Sequence, residues 1–115
     1  MTSEKMGKIP DSIAVNLEKL VEYASHSVVS REIVKNNSGT LTIFAFDTGQ
    51  GLSEHTAPFD AIVQILDGEA ELVIGGKKVV ARTGETVLMP ANVPHALKAK
   101  QRFKMQLVMI RGKNE

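Results

Sequence analysis

From residue 28 onward the chain is a succession of short apolar runs separated by turn residues. Runs such as TLTIFAF and RFKMQLVMI are rich in β-branched and aromatic residues, which favour strands. The pairs Asp67-Gly68 and Gly75-Gly76 separate neighbouring runs and favour hairpins, because type I′ turns require positive φ angles. About eight or nine strands at such close spacing predict an all-β antiparallel sandwich or barrel and not an α/β fold.

The segment before the strands has a different pattern. Residues 1–12 are polar and end at Pro10-Asp11, which predicts a flexible tail. Residues 16–24, NLEKLVEYA, space their apolar side chains at helical intervals behind Asn16, a candidate N-cap. We therefore expect a single domain over residues 1–115, in which a short N-terminal helix or extended arm precedes a barrel core at about residues 28–111.

Several predicted strands are apolar on both faces. In AIVQIL, the side chains of residues 61, 63 and 65 share one face, and Ile62 and Leu66 lie on the other. A small barrel needs only its inner face to be apolar, so the second face requires a cover. We predict a homodimer, since two-fold pairing is the commonest way to cover such a face. An N-terminal segment folded over the face is the alternative.

Charge and composition exclude several classes of function. Fourteen Lys and Arg against thirteen Asp and Glu leave a net charge of +1, which provides no field for holding nucleic acid or an anionic membrane, and we expect neither as a partner. The absence of cysteine excludes disulfides and thiolate chemistry. No apolar stretch has the length of a signal-peptide core or a membrane span, so a cytoplasmic protein is expected.

Gly49, His55 and Gly68 follow one another at fixed spacings. This pattern resembles the first motif of the cupin superfamily, whose members are small antiparallel barrels of the jelly-roll type. This motif runs Gly, five residues, His-x-His, three or four residues, Glu, six residues, Gly. Gly49 and His55 fall in place, and Gly68 closes the motif. The resemblance covers roughly residues 40–110. It implies a single-domain, cupin-like jelly-roll barrel.

The second cupin motif runs Gly, five residues, Pro-x-Gly, two residues, His, three residues, Asn. Gly84, Pro90 and His95 match it. Asn92 stands where a glycine is expected, which is a mild change because asparagine also tolerates a left-handed backbone. Ala99 replaces the final asparagine.

The resemblance implies a metal site that is incomplete in this chain. The usual cupin site is three histidines and a carboxylate that hold a divalent metal. Here Ala57 stands at the second histidine of the first motif and Ala61 at the glutamate, so only His55 and His95 carry over. Imidazole and carboxylate ligands suit iron, manganese, nickel, copper or zinc, and Asp60, with Glu54 as the alternative, is the candidate third ligand.

A small-molecule pocket inside the barrel is the other interpretation of the two histidines. His55 and His95 supply the few polar groups that orient a ligand in an apolar pocket, and Met89 and Phe103 form part of its wall. Gln64 is a polar residue within an apolar run, so we expect it to hydrogen-bond to something specific and include it among the ligand-binding candidates.

Methionine offers a further set of donors. Met89, Met105 and Met109 lie on predicted strands with their side chains towards the interior. A thioether combined with imidazole favours copper(I). Core packing is by far the commoner use of methionine, so we expect these side chains to pack the interior, with copper(I) binding as the lesser alternative.

Three functions are therefore compatible with the sequence. The first is a binding module that senses or sequesters a small molecule. The second, implied by the cupin resemblance, is a small metal-dependent oxygenase, decarboxylase or isomerase of an organic acid. The third is a structural or regulatory barrel, because function is a property of the site and not of the fold. Whether the protein is an enzyme, and which metal or ligand it binds, stays open at this point.

Overall fold

A computed structural model describes residues 9–111 and consists mostly of antiparallel β-strands. This confirms the predicted all-β jelly-roll fold. The strands are β1 (Val28–Asn36), β2 (Gly39–Phe46), β3 (Gly51–His55), β4 (Asp60–Ile74), β5 (Lys77–Arg82), β6 (Thr86–Met89), β7 (His95–Lys98) and β8 (Phe103–Ile110).

The long strand β4 belongs to both sheets of the barrel. Its first half pairs with β6 and β8, and β8 continues through β2 to β1. Its second half pairs with β5 and β7, and β7 continues to β3. Residues on the inner faces of the two sheets therefore meet inside one barrel.

The hairpin predicted at Asp67-Gly68 is wrong, because β4 runs through this pair. The pairing of β4 with β8 shifts register between Ile65 and Asp67, and Gly68 has φ +88°. A Cβ atom on Gly68 would collide with the carbonyl oxygen of Arg102. An Asp-Gly pair indicates a positive φ angle at the glycine. Both a hairpin turn and a β-bulge can contain such an angle, so the pair alone does not distinguish them.

The second predicted turn is confirmed. Gly75 and Gly76 have φ angles of 58° and 82° and connect the paired residues Ile74 and Lys77. The sequence pattern does not predict strand β3, because GLSEH carries only one aliphatic side chain larger than a methyl group.

The inner faces of the two sheets form the main core. Phe103 is fully buried, and its ring stacks on the ring of Phe46 with centroids 4.6 Å apart. Around this pair lie further buried apolar residues: Ala61, Val63, Ile65, Ala70, Leu72, Ala81, Met89, Leu97, Ala99 and Met105.

The N-terminal segment covers part of the outer face. It contains a single 3₁₀ turn, Leu17–Lys19, in which the Asn16 side chain accepts a hydrogen bond from the backbone N–H of Glu18 at 3.1 Å. The expected helix is therefore one short turn behind the predicted cap. Val21 is 3% exposed and belongs to a second core on the outer side of β1 and β2, together with Ile43. The predicted tail lies mostly outside the described residues.

Polar contacts of Lys104 and Tyr23 help to fix this segment to the barrel. Lys104, which is 7% exposed, donates to the carbonyl oxygen of Glu18 at 2.7 Å and pairs with the carboxylate of Glu18 at 3.1 Å. The Tyr23 hydroxyl donates to Asp67 at 2.6 Å. Burial, followed by the bond to Asp67, raises the pKa of Tyr23 well above its usual range.

The outer face also carries an apolar row that is exposed at its two ends and half-buried in between. One residue from each of five neighbouring strands lies opposite the next, and we call this set the outer apolar row: Val34, Leu41, Val108, Ile62 and Leu88. Val34 and Leu88 at its two ends are 48% and 56% exposed. The N-terminal segment thus covers one part of this apolar face, and the row leaves another part that a second copy of the chain could cover. Within residues 9–111 no helix is long and apolar enough to cross a membrane.

Candidate functional site

The structure brings His55 and His95 together. His55 ends β3 and His95 begins β7, and the two residues are opposite each other in that strand pair. Their Nε2 atoms are 3.2 Å apart, and the rings meet edge to face at 70° with centroids 4.4 Å apart. His95 is 5% exposed, whereas His55 is on the solvent side of the pair.

The other ring nitrogens determine what this pair can bind. Nδ1 of His55 is 2.8 Å from the carbonyl oxygen of Ser53, and Nδ1 of His95 is 3.1 Å from that of Val93. Because a carbonyl oxygen only accepts, these contacts assign the proton of each neutral ring to Nδ1 and leave Nε2 as an acceptor. Two acceptors at 3.2 Å repel each other unless an electron-poor atom lies between them.

A small apolar cavity lies beside the pair. Its volume is about 50 Å³. It is lined by Leu52, His55, Ala57, Ala61, Met89, His95, Leu97, Met105, Leu107 and Met109. Pockets for drug-sized ligands span about 300–1,000 Å³, whereas one water needs only about 10–15 Å³. The cavity therefore suits an ion, or a group of a few non-hydrogen atoms that enters from the His55 side.

The cavity lining lacks two of the four metal ligands of the usual cupin site. Ala57 and Ala61 line it at the two positions where the motif has its second histidine and its glutamate. A methyl group can donate nothing to a metal. The divalent site implied by the resemblance is therefore reduced to two imidazoles.

The predicted carboxylate ligand does not join the pair. Asp60 accepts a hydrogen bond from the backbone N–H of Ala91 at 2.9 Å and does not line the cavity. Glu54 is exposed and does not line it either. Within residues 9–111 no three His, Cys, Asp or Glu side chains are grouped to hold a metal. The physical reason is strand alternation: Ala61 points inward, so its neighbour Asp60 does not.

Two further ligand-binding candidates lie away from the cavity. Gln64 is opposite Gln106, and alternation places both on the outer side of the sheet. Phe103 belongs to the packed core and stacks on Phe46. Met89 lines the cavity beside the histidines, with Met105 and Met109. The leucines of the lining were not predicted, although Leu97, two residues after His95 on β7, shares its face and could have been found by alternation.

Asn92 connects the second motif to the first. Its φ angle is 66°, so the left-handed conformation expected of a glycine is adopted by asparagine. Its backbone N–H donates to the carbonyl oxygen of Ala57 at 2.7 Å. The third histidine, His26, is in a separate turn, where its Nδ1 contacts the hydroxyl of Ser25 at 3.0 Å.

Comparison with known proteins places this barrel in a family. Residues 42–111 match the family model described as cupin domain. A conserved protein of unknown function from Streptococcus pyogenes is 34% identical, with a TM-score of 0.87, and the match covers 93% of this chain and 94% of that one. A cupin 2 conserved barrel domain protein from Leptotrichia buccalis is 38% identical, with a TM-score of 0.82, over 84% of this chain and 47% of its own length.

A cupin superfamily protein from Desulfitobacterium hafniense is 26% identical, with a TM-score of 0.86, over 91% of this chain and 96% of its own. A search of the curated proteins found no significant match. The family model spans well over half of the sequence, and the solved barrels follow it through nearly all of the remainder. This chain is therefore a member of the cupin superfamily.

Proposed function

We propose that the protein is a binding module that holds a small ligand between the Nε2 atoms of His55 and His95. The observation that carries the proposal is the 3.2 Å separation of the two Nε2 atoms, both of which are acceptors in the tautomer that the Nδ1 contacts assign. One electron-poor atom, either a metal ion or the hydrogen of a donor group, can contact both. The apolar lining then increases the strength of that contact, because water is largely excluded.

A binding function fits the site better than metal-dependent catalysis, because the expected carboxylate is not at the histidine pair. A mononuclear iron site of the common type uses two histidines, one carboxylate and open positions. The described residues supply the two histidines, while the nearest expected carboxylate, Asp60, is hydrogen-bonded to the backbone of Ala91. The site therefore has the parts for holding a ligand but lacks the anionic group that such catalysis uses.

The test compares the two site histidines with the third one. Protein purified without an affinity tag is analysed for bound metals. It is then screened by thermal shift with Mn²⁺, Fe²⁺, Ni²⁺, Cu²⁺ and Zn²⁺, with copper(I) under anaerobic conditions, and with glycolate and lactate, whose hydroxyl groups donate to Nε2. A ligand at a hundred times its dissociation constant adds about 2.7 kcal/mol to the stability. We expect this gain to disappear in His55→Ala and His95→Ala.

His26→Asn is the matched control, because it removes a histidine outside the site and asparagine tolerates the positive φ angle there. It is expected to keep the full ligand-dependent shift. If none of the probes stabilises the wild-type protein, or if the shift survives loss of both site histidines, the binding proposal is wrong.

We also propose that two copies of the chain pair through the outer apolar row. The row crosses five strands and is therefore about 19 Å long at a strand spacing of about 4.8 Å. The N-terminal segment packs on the neighbouring part of the same sheet face, yet Leu88 remains 56% exposed. A second copy is the simplest complement, since a two-fold axis lets the same apolar patch cover itself.

Substitution of one row residue tests this pairing. In light scattering coupled to gel filtration, we expect the mass of a dimer for the wild-type protein and of a monomer for Leu88→Lys, because a buried unpaired ammonium opposes association. Val80→Lys is the control: Val80 is 39% exposed but lies on β5, outside the row, and its variant should stay dimeric. A monomeric wild-type protein would contradict the proposal.

A further inference from the structure

Met89 and Met109 lie on either side of Ala61 in one row of the inner face. Ala61 is opposite Met89 on β6 and opposite Met109 on β8. Directly opposed residues of antiparallel strands have Cβ atoms about 4.5–5.5 Å apart, so both side chains start within one strand spacing of the Ala61 methyl group. Ala61 occupies the position of the motif glutamate. Two methionine side chains therefore begin on either side of the place of the missing carboxylate.

The same cavity contains these methionines and the histidine pair. Met89 is 2% exposed, Met109 is half-buried, and both line the cavity with His55 and His95. Among the described residues that line it, the side-chain donor atoms are imidazole nitrogens and thioether sulfurs, and the remaining side chains are alanines and leucines. Within residues 9–111, no side chain that lines the cavity carries an oxygen atom.

This donor set selects a type of metal. Thioether and imidazole together favour copper(I), whereas carboxylate, carbonyl and water ligands favour harder ions. Charge favours the same type of ion, because the cost of moving an ion into an apolar site rises with the square of its charge. Among the described residues, no carboxylate lines the cavity to compensate a divalent ion. A monovalent soft ion is therefore the best match to neutral nitrogen and sulfur donors.

We infer that His55, His95, Met89 and Met109 form a binding site for copper(I). This inference rests on the proposed function and specifies its ligand. The two Nε2 atoms hold the ion from one side, and the thioethers replace the carboxylate and the third histidine of the family's site. The site takes up and releases the ion as copper(I), so no electron transfer is involved.

The experiment measures copper(I) and zinc(II) affinities side by side. Under anaerobic conditions, copper(I) is titrated against bathocuproine disulfonate for the wild-type protein, Met89→Leu, Met109→Leu and the double variant. Zinc(II) is titrated against a fluorescent chelator for the same proteins. Leucine conserves the volume of methionine and removes only the sulfur, so the variants keep the fold, which circular dichroism checks.

We expect one copper(I) per wild-type chain. Each single variant should lose affinity by about tenfold or more, because loss of a residue that only supports a metal ligand already costs about 10–100-fold. Zinc(II) affinity, which depends on the imidazoles, should change less than about threefold. X-ray absorption at the copper edge should show sulfur as well as nitrogen neighbours, and the sulfur contribution should vanish in the double variant.

Met105→Leu is the matched control. Met105 also lines the cavity, but it is opposite Ile65 on β4, four residues along the strand from Ala61, and its variant should keep copper(I) affinity within about threefold. Equal loss at Met105, or copper(I) binding that is unchanged in the double variant, overturns the thioether assignment. If the double variant retains histidine-dependent copper(I) binding, the proposed function stands and only this inference fails. If wild-type protein binds neither metal, this inference also fails, and the other metals and the hydroxy acids of the thermal-shift screen then decide the proposed function separately.

Discussion

Replacing Phe103 by alanine should lower the free energy of unfolding by about 3–5 kcal/mol, which is the usual cost of removing a fully buried aromatic side chain. Phe103 has no exposed surface, and its ring stacks on Phe46 at 4.6 Å between centroids. It is also opposite Gly68, where β4 passes from one sheet to the other. Phe103 is paired with β2 on one side and with β4 on the other, so the surroundings can close the vacated space only in part.

The measurement is urea denaturation followed by far-ultraviolet circular dichroism, with the midpoint and slope compared between variants. Phe59→Ala is the control, because Phe59 is only half-buried and contacts the guanidinium group of Arg111 at 5.3 Å from its ring centre. Its loss should cost about 1 kcal/mol, the centre of the range for ordinary substitutions. A loss below about half a kilocalorie at Phe103 would contradict its place in the core.

Alternation explains how much of the fold can be predicted from the sequence. In β8, residues 103, 105, 107 and 109 face the interior, and a period of two is visible in the sequence alone. The bend in β4 is not visible in this way. Asp67-Gly68 shows that a positive φ angle is needed, but whether the chain reverses there depends on β8, a partner far along the chain.

In the candidate site too, one part can be predicted from the sequence and another part depends on long-range strand pairing. Motif spacing identifies His55 and His95 correctly as a pair, because the motif encodes which strand ends meet. It does not identify what surrounds them. Met89 and Met109 flank Ala61 only through the register of β4 with β6 and β8, which is a long-range property. Alternation within β4 does place Asp60 away from Ala61, so the carboxylate expectation conflicts with a rule that the sequence itself provides.

Restoring the two lost cupin ligands should change which metal the site prefers. The double substitution Ala57→His and Ala61→Glu adds an imidazole and a carboxylate to the cavity that His55 and His95 already line. We expect zinc(II) and manganese(II) affinity to rise by about a thousandfold, which corresponds to about 4.1 kcal/mol. The backbone bond from Asn92 to Ala57 uses only the carbonyl oxygen, so it survives the change.

The metal-free double variant should be less stable than the wild-type protein. An unpaired carboxylate in an apolar cavity is strongly unfavourable, and the added volume in a space of about 50 Å³ causes overpacking that costs about 1–3 kcal/mol. Melting temperature should therefore become dependent on metal, with chelator lowering it and zinc(II) restoring it. Thermal shift with and without chelator, together with zinc(II) titration, measures both effects.

Ala61→Gln in place of Ala61→Glu is the matched control, since glutamine has the same shape but carries no charge. It should reproduce the overpacking without the large gain in zinc(II) affinity. If the glutamate and glutamine variants bind zinc(II) equally, position 61 does not reach the histidine pair, and the cavity geometry assigned here is wrong. The glutamate variant alone is expected to gain zinc(II) affinity and lose copper(I) affinity, because its carboxylate takes the place between Met89 and Met109 beside the histidines. That result would show that alanine at position 61 is what allows the flanking thioethers to bind the metal.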